Sequence, residues 1–582
     1  MSVYVVGISA FYHDSSCCII KDGLLIAAAQ EERFTRIKAD SALPKNAFKY
    51  CLKEANINVA DIACLAYYEN PVDKFSRQIW SGLFKTREHL NKHIPNNIEE
   101  AIRKIFGYEG PIKFMNHHLS HAASAFYFSG FENSAILTMD GVGEWATTSY
   151  GFGKGNEIKI FEEVLFPHSL GLFYSTITKY LGFGVNDGEY KVMGLAPYGK
   201  PLYVKELKTI LNYGVDGQYE LNLEFFDFIA GEKMFSDLLP ELLDRPPREE
   251  NSELLQFHSD IAKSLQVVLE EILIEKANYL FSKSNCENLC MAGGVALNCV
   301  ANGKILKNTP FKRLFVQPAA NDAGCALGAA AMAYIEITGE KIKRLKDVYN
   351  GPAFSHNDIA KTIAATSINS ADYMNDLPGL IKLTAKKLAE GKVIGWFQGR
   401  MEFGPRALGS RSIIADPRNA QMRDRINGMV KKRESFRPFA PAVLAHRANE
   451  FFELDHPSPY MLETCEVRDP LSFPAITHLD NSARVQTVDE KSNLRFAMLL
   501  KEFDLITKCP ILLNTSFNVK GEPIVCTPED AIKCFIKTDI DCLVVGNFFI
   551  DRSENDFEII RMILDFDENR KSVISQDVYT FI

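Results

Sequence analysis

The apolar positions along the chain give the first reading. Val3–Ile8 is a short β-branched run, and two more runs, Ser16–Lys21 and Leu24–Ala29, flank Asp22-Gly23. That dipeptide between apolar runs predicts a β-hairpin, because both residues tolerate the positive φ of a tight turn. Ser134–Met139 is a further strand, and it closes on Asp140-Gly141. Ile261, Leu265, Val268, Leu269, Ile272, Leu273 and Leu280 recur at helical spacing and predict one long helix. Leu289–Ala292 follows as a strand ending in Gly293-Gly294. Ala323–Tyr334 follows as a helix whose alanines permit close packing. The stretch Gly182–Gly199 is glycine-rich and polar, and it is read as loop and turn.

The pattern changes near residue 345. Asn350-Gly351-Pro352 is a breaker cluster. Beyond it Leu377, Leu380, Ile381, Thr384 and Leu388 mark one helix face, Gly391 closes that helix, and Val393–Phe397 is a strand. A second domain therefore starts between about 345 and 375, which divides the chain into 1–350 and 351–582. Both parts mix strands and helices, so the fold class is α/β.

Composition and charge narrow the function. At 582 residues the chain accommodates two to four domains. Its 46% hydrophobic and 24% charged content excludes a largely disordered or collagen-like polymer. The chain shows no run of 18 apolar residues, and its start lacks the pattern of a secretory leader, so no membrane partner and a cytoplasmic location are expected. The 13 cysteines are odd in number and form no C-x-x-C pair, which reads as small buried hydrophobes in a reducing compartment. The net charge of −9 gives no general reason to expect nucleic acid. Against that background Arg400–Arg437 holds ten Arg or Lys and four Asp or Glu. This local excess predicts that the second domain binds a compact anion.

Three constellations could carry chemistry. His117 and His121 lie four apart, on one face of a helix, while His118 is turned about 100° away. With Asp140 on a turn at a strand end, two imidazoles suit a divalent first-row metal; a polar helix face and a turn former are the plain alternatives. The glycine turns Gly7–Ser16, Asp140–Gly143, Met291–Asn298 and Asn321–Gly324 each follow a strand and place backbone N–H groups where phosphate oxygens could sit. Four such turns over some 320 residues resemble the duplicated ASKHA nucleotide fold of actin and the sugar kinases. In the second domain, Gly399–Ser412, Lys431–Pro441, Arg484 and Asn514–Asn518 set arginines amid Gly, Pro and aromatic residues. Arg offers paired planar donors for phosphate and carboxylate-like groups, and structural ion pairs with Glu402, Asp416 and Glu434 are the plain alternative.

Taken together, GISAFYHDSS, EERFTRIK, NHHLSHAASAF, DGVGEW, DGEYKVMGLAPYG, MAGGVALN, NDAGCALGAA, GRMEFGPRALGSRSI, KKRESFRPFAP and LNTSFNVKGEPIV resemble the NodU/CmcH family of O-carbamoyltransferases, over nearly the whole chain. The resemblance implies a duplicated ASKHA domain followed by a YrdC-like α/β domain. It implies ATP, Mg2+ and the co-substrate carbamoyl phosphate. Carbamoyl-adenylate made in the second domain is then used in the first to carbamoylate a small-molecule hydroxyl acceptor. His117, His121, Asp140 and Asp322 match the family's metal ligands; the family suggests Fe2+, whereas the residues leave iron, manganese and zinc open. Arg406, Lys431, Arg437, Arg484 and Ser516, with Asn514 close by, match its carbamoyl phosphate and nucleotide site; Lys432 and Arg433 adjoin Lys431. Gly141, Gly143, Gly293, Gly294 and Asn298 are expected at nucleotide in the first domain. His13 and Asp14 are candidate acceptor bases by residue type. Family members often pair, so a homodimer is an expectation. The alternatives are a tRNA threonylcarbamoyl-modifying enzyme and a non-catalytic ATP-binding ASKHA protein.

Overall fold

A computed structural model of the chain describes residues 2–557, except 85, 87–89, 91–93, 231–232, 367, 432–433, 435 and 438. It divides into two compact units. Unit 1 comprises Met1–Glu32 and Ala39–Leu345; unit 2 begins at Lys346 and also takes the short segment Arg33–Lys38.

Unit 1 holds the same sheet twice. In the first half, β1 (Tyr4–Ser9), β2 (Ser16–Lys21) and β3 (Leu24–Gln30) form an antiparallel meander. β1 then pairs in parallel with β4 (Ile62–Tyr67), and β4 with β5 (Ile112–Phe114), giving the order β3-β2-β1-β4-β5. The second half repeats this with β6 (Asn133–Met139), β7 (Ala146–Lys154) and β8 (Glu157–Leu165) as the meander. A small hairpin, β9 (Leu211–Tyr213) with β10 (Tyr219–Leu221), intervenes. Then β11 (Asn288–Ala292) and β12 (Arg313–Val316) complete the order β12-β11-β6-β7-β8, with β6, β11 and β12 parallel. This duplicated topology is that of an ASKHA domain. Asp22 and Gly23 in the first hairpin turn take φ of 48° and 73°, the left-handed pair its sequence demands.

Each half ends in a helix: α1 (His117–Ser129) in the first and, after the long α2 (Gln256–Ser284), α3 (Asp322–Thr338) in the second. The apolar positions read as one helix face all lie in the buried side of α2. α1 and α3 are buried nearly all round and pack on each other through missing side chains. A Cβ on Gly328 would lie 1.8 Å from the Ser120 carbonyl oxygen, and one on Gly7 in β1 would lie 1.9 Å from that of Ala326. The stretch Gly182–Gly199 is not all loop, because it contains a helix at Glu189–Leu195. The Glu189 carboxylate accepts N–H bonds from Asn186 and Gly188, which converts the glycine-rich approach into a helix start.

Unit 2 is built on one mixed sheet. Its strands are β13 (Ala371–Asp372), β14 (Ile394–Phe397), β15 (Arg411–Ala415), β16 (Ala440–Leu444), β19 (Gln486–Val488), β20 (Ile511–Ser516), β21 (Cys542–Val545) and β22 (Phe548–Asp551). Their order is β13-β22-β21-β14-β15-β20-β16-β19, and β17 (Cys465–Glu466) with β18 (Ser482–Ala483) forms a separate short pair. Helices α4 (Leu377–Ala389) and α5 (Leu494–Thr507) pack together on it, and Trp396 is fully buried with Nε1–H donating to the Gly409 carbonyl at 2.9 Å. Gly391, at φ 79°, closes α4 in the left-handed conformation. None of the described helices is long and apolar enough to cross a membrane.

Candidate metal centre and anion-binding face

The ends of α1 and α3 and the turn after β6 meet in the interior of unit 1. Asn116 caps α1 by accepting the Leu119 N–H at 2.9 Å, which fixes the first turn and aims His117 and His121 inward. The Glu144 carboxylate accepts the His117 N–H at 2.8 Å and the Asn70 N–H at 2.7 Å, tying the start of α1 to the turn after β6. Asp140 Oδ1 accepts the Gly294 N–H at 2.9 Å, which leaves Oδ2 facing the histidines. His117 Nε2 is 3.2 Å from Asp140 Oδ2 and 3.7 Å from Asp322 Oδ1; His121 Nε2 is 3.5 and 3.6 Å from the same atoms. All four side chains are buried.

These spacings fit one ion. Bonds of about 2.1 Å to a shared metal set neighbouring ligand atoms roughly 3 to 3.5 Å apart. His121 Nε2 and both Asp322 carboxylate oxygens are buried with no hydrogen-bond partner, an arrangement that costs free energy unless a cation satisfies it. The electrostatics agree. Burial opposes charge on His117, but Asp322 and Asp140 outweigh it and raise its pKa. Burial likewise opposes charge on His121, whose pKa is held well above the ordinary value by Cys325, Asp140 and Asp322. Burial raises the Asp140 carboxyl, but the two imidazoles bring it well below its ordinary value. The cluster is thus built around positive charge at the Nε2 atoms. His118 is turned to the sheet, where its Nδ1 meets the Thr138 and Ser149 hydroxyls at 2.9 Å each. Burial pushes its pKa well below the ordinary value, so it stays neutral.

His13 and Asp14 lie on the turn after β1. His13 Nδ1 is 2.7 Å from Asp14 Oδ2, and Asp14 itself takes φ 57°. Burial lowers the His13 pKa, yet the Asp14 hydrogen bond and the charges of Asp14, Asp322 and Asp140 push it up to about 9. The glycine turns serve mainly the protein itself. Gly293, at φ 93°, would set a Cβ 2.1 Å from the Met139 carbonyl oxygen. The N–H groups of Gly143, Gly293 and Gly294 donate to Ala146, Ala320 and Asp140, and the Gly141 carbonyl accepts from Ser169 Oγ at 2.7 Å. Asn298 caps the helix Cys299–Asn308 and exchanges amide hydrogen bonds with Gln266. The N–H groups of Gly143, Gly293 and Gly294 thus donate within the protein.

In unit 2 the sheet order gathers the anion candidates. β15 and β20 are antiparallel, β20 and β16 are antiparallel, and β16 and β19 are parallel. The starts of β15, β16 and β19 and the end of β20 therefore share one sheet end. Arg406, Arg437 and Arg484 precede those three starts, and Asn514 and Ser516 lie at the end of β20. The Arg406 loop is fixed from two sides. Glu402 Oε1 accepts the N–H groups of Leu408, Ser410 and Arg411, and Asn514 Nδ2 donates to the Ala407 carbonyl at 3.2 Å and to Gln486 Oε1 at 2.8 Å. Among the described residues, buried Arg484 Nε and Asn514 Oδ1 find no hydrogen-bond partner. Arg437 Nη1 is 3.5 Å from Glu434 Oε2, and Ser516 Oγ donates to Asn518 Oδ1 at 2.7 Å. The Lys431 side chain lies outside the described structure, as do Lys432 and Arg433.

Residues 4–331 match the family model described as Carbamoyltransferase N-terminus, and residues 385–552 match Carbamoyltransferase C-terminus. The chain belongs to the carbamoyltransferase family. It is 45% identical to an uncharacterized protein of Synechocystis sp., over 94% of this chain and 97% of that one. It is 41% identical to nodulation protein NolNO of Sinorhizobium fredii, over 94% of this chain and 80% of that protein. A 266-residue alignment, 36% identical, relates 46% of the chain to 49% of the 3'-hydroxymethylcephem-O-carbamoyltransferase of Amycolatopsis lactamdurans. Two residues of this carbamoyltransferase family member were not singled out from sequence. Cys325 joins His117, His121 and Asp322 in a group whose ligand atoms all lie within 4.8 Å of one another. Glu144 shows its role only where the starts of α1 and of the helix Pro71–Trp80 meet. The three-residue step from Asp322 to Cys325 on one helix was the available signal for the first; for the second there was none.

Proposed function

We propose that the chain is an ATP-dependent O-carbamoyltransferase whose acceptor is a hydroxyl of a small specialised metabolite. The observation that carries this reading is the union, in one chain, of both carbamoyltransferase family regions with a buried His–His–Asp–Asp cluster in the first. The Amycolatopsis relative's name specifies transfer to a hydroxymethyl oxygen, which supports a hydroxyl acceptor here.

The proposed chemistry divides between the units. In unit 2 water takes the phosphoryl group of carbamoyl phosphate, the carbamate oxygen attacks ATP at the α-phosphorus, and pyrophosphate leaves. Arg406, Arg437 and Arg484 at one sheet end stabilise the negative charge that builds on the phosphates, and Asn514 and Ser516 orient the carbamoyl group. In unit 1 the acceptor hydroxyl attacks the carbamoyl carbon and AMP departs. His117, His121, Asp140 and Asp322 would hold a divalent ion, Fe2+ being the family's choice, and such an ion supplies Lewis acidity when bound. The hydrogen-bonded pair His13 and Asp14 receives the acceptor proton, and with His13 pushed up to about 9 its neutral, proton-accepting form grows as the pH rises toward that value. Burial of the cluster excludes water that would otherwise hydrolyse the adenylate.

ATP–pyrophosphate exchange that depends on carbamoyl phosphate tests the first step. Carbamoylation of one member of a panel of hydroxylated metabolites tests the second. Exchange that ignores carbamoyl phosphate, or transfer to tRNA in place of every small acceptor, would overturn the reading.

A further inference from the structure

We infer that Cys325 is itself a further metal ligand, so that a thiolate joins the two imidazoles and two carboxylates of His117, His121, Asp140 and Asp322. This rests on the reading that the cluster holds a divalent ion, and it goes beyond the ligand set that the family resemblance implies.

The geometry comes from how two helices are forced together. Asp322 and Cys325 lie three apart on α3 and His117 and His121 four apart on α1, so each helix presents two donors on one face. Gly328 lets α3 approach to the point where a single Cβ would strike the Ser120 carbonyl. The donor atoms of His117, His121, Asp322 and Cys325 then lie within 4.8 Å of one another. Five protein donors make the ion five- or six-coordinate, and there two ligands on opposite sides, a sulfur at about 2.3 Å and a nitrogen at about 2.1 Å, stand about 4.4 Å apart.

The cluster asks for such a donor. His121 and Asp322 are fully buried, and His121 Nδ1 and Nε2 and both Asp322 oxygens have no hydrogen-bond partner. Several other buried cysteines settle on the backbone: Cys18 Sγ donates to the Ala326 carbonyl at 3.3 Å, Cys51 to that of Cys17 at 3.5 Å, and Cys509 to that of Ile511 at 3.7 Å. Cys325 instead meets ionisable side chains capable of holding a metal. Coordination replaces its S–H bond by a sulfur–metal bond and releases one proton to solvent. A soft donor favours Fe2+, Co2+ and Zn2+ over Mg2+ and Mn2+.

Cobalt is the probe. The full chain, stripped of metal and loaded with Co2+, should bind one equivalent and show a near-ultraviolet sulfur-to-cobalt charge-transfer band. Cys325→Ser should lose the band and weaken Zn2+ binding by about ten-fold or more, whereas Cys299→Ser should keep both. One bound Co2+ without the band in the wild-type chain overturns the assignment, and so does a band that persists in folded Cys325→Ser. The wild-type spectrum decides even where that variant fails to fold. A wild-type chain that retains no cobalt overturns the metal centre itself, a result distinct from bound cobalt without the band.

Discussion

At the scale of single residues, the centre depends on side chains that have no other task. His121 is fully buried, its ring nitrogens make no hydrogen bond, and Asp140 and Asp322 lie within 3.6 Å of its Nε2. Removing one such ligand typically costs ten-fold or more in affinity. His121→Ala should therefore lower metal retention by about 10–100-fold, read as metal per chain after dialysis against a chelator. Retention equal to wild type would place the ion elsewhere. The sequence disclosed this pair because four-residue spacing fixes a helix face. It disclosed less about the arginines. Arg411 donates to the carbonyls of Gln398, Gly399, Ser410 and Pro352, Arg418 pairs with Asp416, and Arg425 pairs with Asp541 far along the chain. Counting charges in a window cannot see a backbone carbonyl or a distant acid, so part of the cationic excess is structural. Which guanidiniums face a substrate follows from strand order, and strand order is a long-range property.

At the scale of elements, the duplicated sheets were only partly legible, because the parallel pairing of β6 with β11 joins residues some 150 positions apart. The alanine-rich α3 was legible, and its consequence is a contact with no slack. Gly328→Ala inserts a Cβ where 1.8 Å is available and should separate α3 from α1. The expected loss is about 1–3 kcal/mol of unit 1 stability, seen as a lower urea midpoint, together with weaker metal retention. A midpoint equal to wild type would show that the helices yield freely. The start of α2 carries a pH dependence. His258 Nδ1 accepts the Leu255 N–H at 2.9 Å, and burial and Arg248 push its pKa from 6.5 to about 4. Burial, with Arg484 opposing Asp480, does the same to His478 in unit 2. Unfolding frees each to take a proton below 6.5 that the folded chain refuses until about 4. At these two histidines the unfolded chain thus binds more protons, so their contribution to stability falls on acidification across that window and levels off below it, while Glu31, Glu144 and Glu189, raised by burial, act in the opposite sense. His456, pushed up to about 9 by Glu463, acts only above 6.5. His258→Asn should flatten the fall in urea midpoint between pH 6.5 and pH 4 relative to wild type; an unchanged slope would remove His258 from the account.

At the scale of the whole molecule, the two units are not consecutive pieces of chain. Arg33–Lys38 belongs to unit 2, where Arg33 donates to the Gly404 carbonyl at 3.0 Å and Arg36 to those of Pro523 and Ile524 at 2.7 and 2.6 Å. Residues 346–582 expressed alone lack these donors and should be less stable in urea than unit 2 in the full chain. Arg36→Ala should cost the full chain about 1–3 kcal/mol through the two buried acceptors it abandons. The chemistry, by contrast, should separate cleanly. The metal ligands all come from unit 1, whereas Arg406, Arg437 and Arg484 all come from unit 2. The double variant His117→Ala/His121→Ala removes two ligands and leaves every unit 2 side chain in place. It should continue to release pyrophosphate from ATP and carbamoyl phosphate while yielding no carbamoylated acceptor, because the adenylate forms and is lost to water. Arg484→Ala should do the reverse. It loses a guanidinium whose buried Nε has no hydrogen-bond partner among the described residues, so adenylate formation should fall by about 100-fold or more. Transfer from synthetic carbamoyl-adenylate to the acceptor should persist. If the folded histidine variant stops releasing pyrophosphate altogether, adenylation depends on unit 1 as well, and the division of labour between the units is wrong.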